Sequence, residues 1–202
     1  MKKPYKILLF SLSFIFLLIT FLVKLNLTND FDKFIYDFII NFKNDNVTNF
    51  FKVITDLGDT IAIISILILS FILFKNKIYP KLMALNICCI VGINQLLKHI
   101  IRRPRPDIFR MIEESGFSFP SGHSMASFGF YGLLIYMIYK SKLNKKIKVF
   151  LIIMLSLLIL LIGISRIYLG VHYASDVIGG FIMSFICLIV LTNFSKKHFE
   201  KV

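Results

Sequence analysis

Six apolar runs, at about 7–23, 60–74, 81–97, 121–139, 148–164 and 177–194, restrict this chain more than any other feature. A helix crosses the hydrocarbon core of a bilayer in roughly 17–25 residues at about 1.5 Å each, so the second run is marginal unless it extends into its flanks. Only 17% of the 202 residues are charged, against about 25% in an ordinary soluble domain, which makes lipid the expected solvent for much of the surface. The first run follows Met1-Lys2-Lys3 as a secretion signal would, but no small-x-small cleavage site comes after it, so a retained anchor is expected. The expected fold is all-α, a six-transmembrane helix bundle. With no internal repeat or low-complexity linker, residues 1–202 read as a single domain.

The formal net charge of +13 would point to nucleic acid in a soluble protein. Here its distribution points to topology, and no nucleic-acid partner is expected. The N-terminus, the loops near 75–81 and 140–148 and the C-terminal tail hold 14 of the 24 Lys and Arg but only Glu200 of the 11 acids. Cytoplasmic loops carry the Lys and Arg excess, so both termini are expected in the cytoplasm of a multi-pass plasma-membrane protein. KHIIRRPRPD, residues 98–107, then falls outside against that bias, and its cations need another cause.

Residues 31–42 place Phe31, Phe34, Ile35, Phe38, Ile39 and Phe42 on one helical stripe, with Asp32, Lys33, Asp37 and Asn41 off it. That pattern predicts an extracytoplasmic helical segment lying in the membrane interface, packed on the outer ends of the bundle, or both. Asn26 and Asn46 begin Asn-x-Thr triplets, a pattern too short to carry an argument. Cys88, Cys89 and Cys187 sit in apolar runs without disulfide or metal spacing and are expected as small buried hydrophobes.

Three polar clusters interrupt the apolar sequence: Lys98–Asp107, Phe119–His123 and Ser165–Asp176. No span separates the first two and two spans separate the second from the third, so all three return to one face. Lys98, Arg105 and Arg166 suit an anion, the guanidinium forks by bidentate geometry and the lysine as a point charge. Ser121 and Gly122 stand where a helix begins, and free N–H groups there attract anions. Arg102, Arg103 and Arg110 read instead as surface cations meeting lipid headgroups or the neighbouring acids Asp107, Glu113 and Glu114. His172 and Asp176 are i, i+4, so the carboxylate can take Nδ1–H and leave Nε2 as a nucleophile. His123, at the mouth of another helix, can protonate a leaving oxygen.

Lys98, six residues, Arg105-Pro106; then Pro120-Ser121-Gly122-His123; then Ser165-Arg166, five residues, His172, three residues and Asp176: this arrangement resembles the three-part signature of the type 2 phosphatidic acid phosphatase superfamily. The resemblance spans Lys98 to Asp176 and departs from similar sequences only outside the signature, at Ala174, where proline is frequent. It implies a phosphatase without metal or cofactor, acting on a membrane lipid phosphate from the outer face. It implies His172 as nucleophile, Asp176 as its orienting partner, His123 as general acid, and phosphate contacts from Lys98, Arg105, Ser121, Gly122 and Arg166. The expected substrate is a lipid phosphomonoester or diphosphate: undecaprenyl diphosphate, phosphatidylglycerol phosphate or phosphatidate. An anion transporter or channel built on the same basic cluster would need ionisable residues near the bilayer midplane, and the span centres hold little beyond Asn86, Asn94 and serines. A non-lipid phosphatase could use the same residues, and so could a vanadate-dependent haloperoxidase, against which the six spans argue.

Overall fold

The computed structural model describes residues 3–107 and 110–195, and the regular structure among them is entirely helical. In chain order the helices are α1 (Lys3–Lys24), α2 (Asn29–Ile40), α3 (Asp45–Asp56), α4 (Thr60–Leu73), α5 (Ile78–Ile101), α6 (Gly122–Lys140), α7 (Lys145–Tyr168) and α8 (Ala174–Phe194). Lys2 and the tail from 196 onward, which carry part of the charge asymmetry, lie outside the described residues.

Each of the six apolar runs is a helix, but the helices are not equivalent. Among the described residues, α1, α5, α7 and α8 are long and apolar enough to cross a membrane by length and composition. α4 has 14 residues, about 21 Å, and qualifies only together with α3, from which it is bent by 48°. α6 does not qualify although it has 19 residues. It packs against α5, α7 and α8, and its Ser124, Ser127, Gly129 and Tyr131 are buried against them, while Tyr139 near its end stays exposed.

Buried polar side chains join α5 to α6. Asn86 donates to Gly129 O at 2.8 Å, and Asn94 donates to Pro120 O at 3.0 Å, tethering the segment that leads into α6. At Gly129 an added Cβ would lie 1.8 Å from Ile90 Cδ1, so the two helices approach closely here and any larger residue would have to displace the Ile90 side chain. The main core, with Ile63, Met83, Phe130, Leu133 and Ile162, fills the bundle, and Phe16 and Val23 of α1 meet Phe119 beside it.

The two short helices cover one end of the bundle. Ile35, Tyr36 and Ile39 of α2 pack on Ile167, Ala174 and Val177, where α7 ends and α8 begins. Phe31, Phe34, Phe38 and Phe42 stay exposed. The predicted stripe therefore divides, aliphatic residues docking and phenylalanines facing outward, while off-stripe Asp32 is buried at 3% exposure. Helix α3, which hydropathy leaves unassigned, starts at an Asn44 cap whose Oδ1 accepts from Val47 N–H at 2.9 Å. Its Val47 and Phe51 pack on Tyr168, Leu169 and Val171.

Two expectations are overturned. Cys88 and Cys89 are exposed and Cys187 is half-buried, because an apolar run in lipid has no need to turn its cysteines inward. Arg103, expected on the surface, is 8% exposed and paired with two buried carboxylates, Asp32 and Asp176. Arg102 and Arg110 are exposed as expected, Arg110 meeting Asp107 at 2.8 Å.

Candidate active site

The three polar clusters meet where α5 and α7 end and α6 and α8 begin, an alternation that brings successive helix termini to one end of the bundle. The loop after α7 folds back through Gly170, at φ 72°, so that the N–H groups of Val171 and His172 both donate to Arg166 O at 3.2 Å. This return places His172 one turn before Asp176 on α8. His172 Nδ1 lies 3.4 Å from Asp176 Oδ2 and 3.3 Å from Ser118 Oγ, and Nε2 lies 3.2 Å from Arg105 Nη1. Asp176 is fully buried and also accepts from Tyr173 N–H at 2.9 Å, Arg103 Nη1 at 2.7 Å and Ser118 Oγ. Burial pushes the imidazole of His172 down to about 4, with Arg166 and Arg105 adding to the effect and Asp176 opposing it. That shift favours the neutral ring at physiological pH.

Arg105 is preorganised by backbone carbonyls, donating to Ser115 O at 2.8 Å, Gly116 O at 3.0 Å and Val171 O at 3.1 Å. Arg166, 1% exposed, donates from Nη1 to Thr55 Oγ1 at 2.6 Å and from Nη2 to Glu114 Oε1. Its Nε–H is buried and has no partner among the described residues, an unusual deficit for a guanidinium and one that an anion would remove. Lys98, half-buried on the last turn of α5, lies within electrostatic range of Arg105, Glu114, Asp176 and Arg166.

Glu114 stands between the cations. One oxygen meets Arg166 and lies 4.0 Å from His123 Nδ1, and the other lies 3.5 Å from Arg105. Burial opposes its ionisation, but the Arg166 charge, aided by His123 and Arg105, outweighs burial and holds the carboxyl below its usual value. His123 also lies 3.8 Å from Asp59. A cavity of about 410 Å³ opens here, lined by Lys52, Thr55, Asp56, Asp59, Ile112, Glu114, His123 and Arg166. His172 is 3% exposed and does not line it, so Glu114 and Arg105 occupy the ground between the two histidines.

Of the predicted residues, His172, Asp176, Arg105 and Arg166 form one connected group, and His123 joins it through Glu114. Ser121 has a different part in this conformation. It is fully buried, its Oγ caps α6 by accepting from Ser124 N–H at 3.4 Å and also accepts from Ser124 Oγ at 2.9 Å, and its N–H donates to Asp176 O at 3.1 Å. A Cβ on Gly122 would make ordinary contact, 3.4 Å from Asn94 Oδ1, so packing does not require that glycine.

Sequence reasoning missed Thr55, Asp59, Ser118 and Asp32, and misread Arg103 and Glu114. The asparagine cap and the Val47, Phe51, Ile54 spacing could have revealed α3 and hence Thr55. No local signal marks Ser118 or Asp32.

A family model described as the PAP2 superfamily matches residues 62–200. Phosphatidylglycerophosphatase B of Bacillus subtilis (strain 168) is 30% identical over 204 residues, covering 98% of this chain and 97% of that protein. The crystal structure of a transmembrane PAP2-type phosphatidylglycerolphosphate phosphatase from Bacillus subtilis superposes with a TM-score of 0.86 at 29% identity, covering 94% of this chain and 96% of that one. LpxE of Aquifex aeolicus superposes with a TM-score of 0.66 at 28% identity, over 78% of this chain and 92% of that one. With the three-part signature gathered at one end of an all-helical bundle, these likenesses settle descent: the chain belongs to the PAP2 superfamily.

Proposed function

We propose that this chain hydrolyses a membrane lipid phosphomonoester or diphosphate, with phosphatidylglycerol phosphate the first substrate to test, given its likeness to the Bacillus subtilis phosphatase. The carrying observation is His172: buried, neutral, held through Nδ1 by Asp176 and presenting Nε2 to a basic group of two arginines. The substrate phosphate displaces Glu114 and takes the donors of Arg105 and Arg166, including the unpartnered Nε–H, with Lys98 and the start of α6 at Gly122 contributing. Packing leaves Gly122 free to admit an anion close to the backbone.

Nε2 of His172 attacks phosphorus, forming a P–N bond as the P–O bond to the leaving group breaks. His123 gives its proton to the departing oxygen. Water then attacks the phosphohistidine, His123 takes a proton from it, and the P–N electron pair returns to the imidazole. The arginines stabilise charge on the transferring group, which is the reason Lys98 and Arg105 stand in KHIIRRPRPD. The step is read as needing no metal.

In the membrane, six crossings are proposed, α1, α4 through α8, with α6 enclosed by its neighbours and both termini cytoplasmic. The site then faces outward and α2 lies in the interface with its phenylalanines toward lipid. Phosphate release from purified phosphatidylglycerol phosphate, phosphatidate and undecaprenyl diphosphate in mixed micelles tests the proposal. Release that survives in His172→Ala, or that EDTA abolishes and added metal restores, overturns the mechanism.

A further inference from the structure

Arg103 has no part in the reaction as just described, yet it is among the most constrained side chains in the protein. It lies between α5 and α6, with its guanidinium over the Tyr173 ring at 3.9 Å from the centroid. Nη1 donates at 2.7 Å to Asp176 Oδ1 and at 2.7 Å to Ser175 Oγ. Nη2 donates at 2.7 Å to Asp32 Oδ2 and at 3.2 Å to Thr28 Oγ1. Asp32 is itself locked, accepting from Ser175 N–H on Oδ1 and from Ser175 Oγ on Oδ2, both at 2.8 Å. One cation thus serves two buried carboxylates, one on the amphipathic α2 and one against the imidazole of His172.

Stability alone is a weak reason for such a group, since well-packed apolar side chains often replace a buried ion pair at no loss. Geometry is a stronger one. The Oδ2 side of Asp176 serves His172, Ser118 and the Tyr173 N–H, while among the described contacts Oδ1 is held by Arg103 alone. The carboxylate torsion is soft and two-fold, so without that anchor the oxygens can rotate away from Nδ1. Asp32 in turn shares the Arg103 charge, leaving more of the Asp176 charge for the imidazolium-like nitrogen that develops during phosphoryl transfer. A lysine would keep the charge but lose the planar fork that reaches both carboxylates.

We propose that Asp32 and Arg103 are positioning residues for the nucleophile: α2 steadies Arg103 through Asp32, and Arg103 fixes Asp176 so that His172 keeps its Nδ1–H tautomer. The proposal rests on the reading of His172 as nucleophile and extends it to a helix outside the three-part signature. It makes the short helix α2, with its exposed phenylalanine face, part of the apparatus that aligns the reacting nitrogen.

The test uses the purified full chain in detergent micelles with Asp32→Asn, Arg103→Lys and the double variant. Imidazole 15N NMR, with the His172 signals assigned by their loss in His172→Gln, reports the tautomer without needing turnover. The wild type is expected as a single Nδ1–H tautomer and the variants as mixtures. Phosphate release from phosphatidylglycerol phosphate in mixed micelles should lose roughly 10–100-fold in kcat in each single variant, with KM within about 2-fold. The double variant should be no slower than the slower single one, because the two residues act as one unit. A wild-type tautomer and kcat in Asp32→Asn, whatever happens to its melting temperature, overturns the proposal, as does a loss confined to KM. If the wild type releases no phosphate, or releases it without His172, the functional reading fails while the tautomer measurement still decides this inference.

Discussion

Replacing Glu114 with glutamine should tighten the binding of a phosphate-like anion. Its carboxylate occupies the place between Arg166, Arg105 and His123 that the proposed mechanism gives to the substrate, so any phosphate must first displace it. A hydrogen bond to a charged group contributes about 1.5–3 kcal/mol net. Glu114 keeps 24% of its side-chain exposure and its Arg105 contact is long at 3.5 Å, so the lower part of that range applies. Removing the charge while keeping the shape should therefore favour the entering anion by about 1.5–2 kcal/mol, which is roughly 10–30-fold in affinity. Orthovanadate, which resembles the transition state of phosphoryl transfer, is the suitable probe, and its inhibition constant against phosphate release is the measurement. Glu113→Gln is the control, because it changes net charge equally from an exposed position next along the chain. Equal shifts in the two variants would reduce the effect to long-range charge. Weaker vanadate binding in Glu114→Gln would refute the displacement argument and mark Glu114 as part of the anion site itself.

His172→Ala should abolish turnover with the protein still folded in detergent, while Asp176→Asn should slow it by roughly 10³–10⁴, the scale seen when an orienting carboxylate is lost; near-normal rates would reduce Asp176 to a helix cap. The acid limb of kcat/KM should fall near pH 4, not 6.5, because burial first, then Arg166 and Arg105, favour the neutral ring of His172. The same shift affects stability: the unfolded chain binds the proton more readily, so the fold loses about 3 kcal/mol as pH falls from 6.5 through 4, measurable as a declining melting temperature. Gly180→Ala would place a Cβ 2.9 Å from Ser121 O and 3.1 Å from Ser124 Cβ, prising α8 from the start of α6. It should cost about 1–3 kcal/mol and disturb the Ser121 N–H bond to Asp176, read as a lower melting temperature together with a lower kcat.

Hydropathy and the three-part signature made much of this protein legible in one dimension. Apolar length locates helices because lipid leaves a spanning segment little choice of conformation, and each of the six runs is helical. The parity of the intervening spans was enough to bring Lys98, Arg105, His123, Arg166, His172 and Asp176 to one end, and the i, i+4 spacing set the register of His172 with Asp176. Spacing says nothing, however, about which side chain fills the remaining space. Asp32, Thr55, Ser118 and Glu114 reach the site from segments whose local patterns read as interface, loop or surface: Asp32 and Thr55 arrive only when α2 and α3 fold over the ends of α7 and α8, and Glu114 and Ser118 only when the loop between α5 and α6 lies against Arg166 and His172. Arg103 shows the difference most sharply. Along the chain it is one more arginine in a basic run, indistinguishable from Arg102. The left-handed turn of Arg102 at the end of α5, φ 54°, separates the two residues. Arg102 stays exposed, and Arg103 is enclosed between carboxylates from α2 and α8. Sequence determined which residues are candidates for binding and transferring a phosphoryl group, because that chemistry depends on residue type and local spacing. Tertiary structure alone decided which charges were buried together, because burial depends on contacts between segments far apart in the chain.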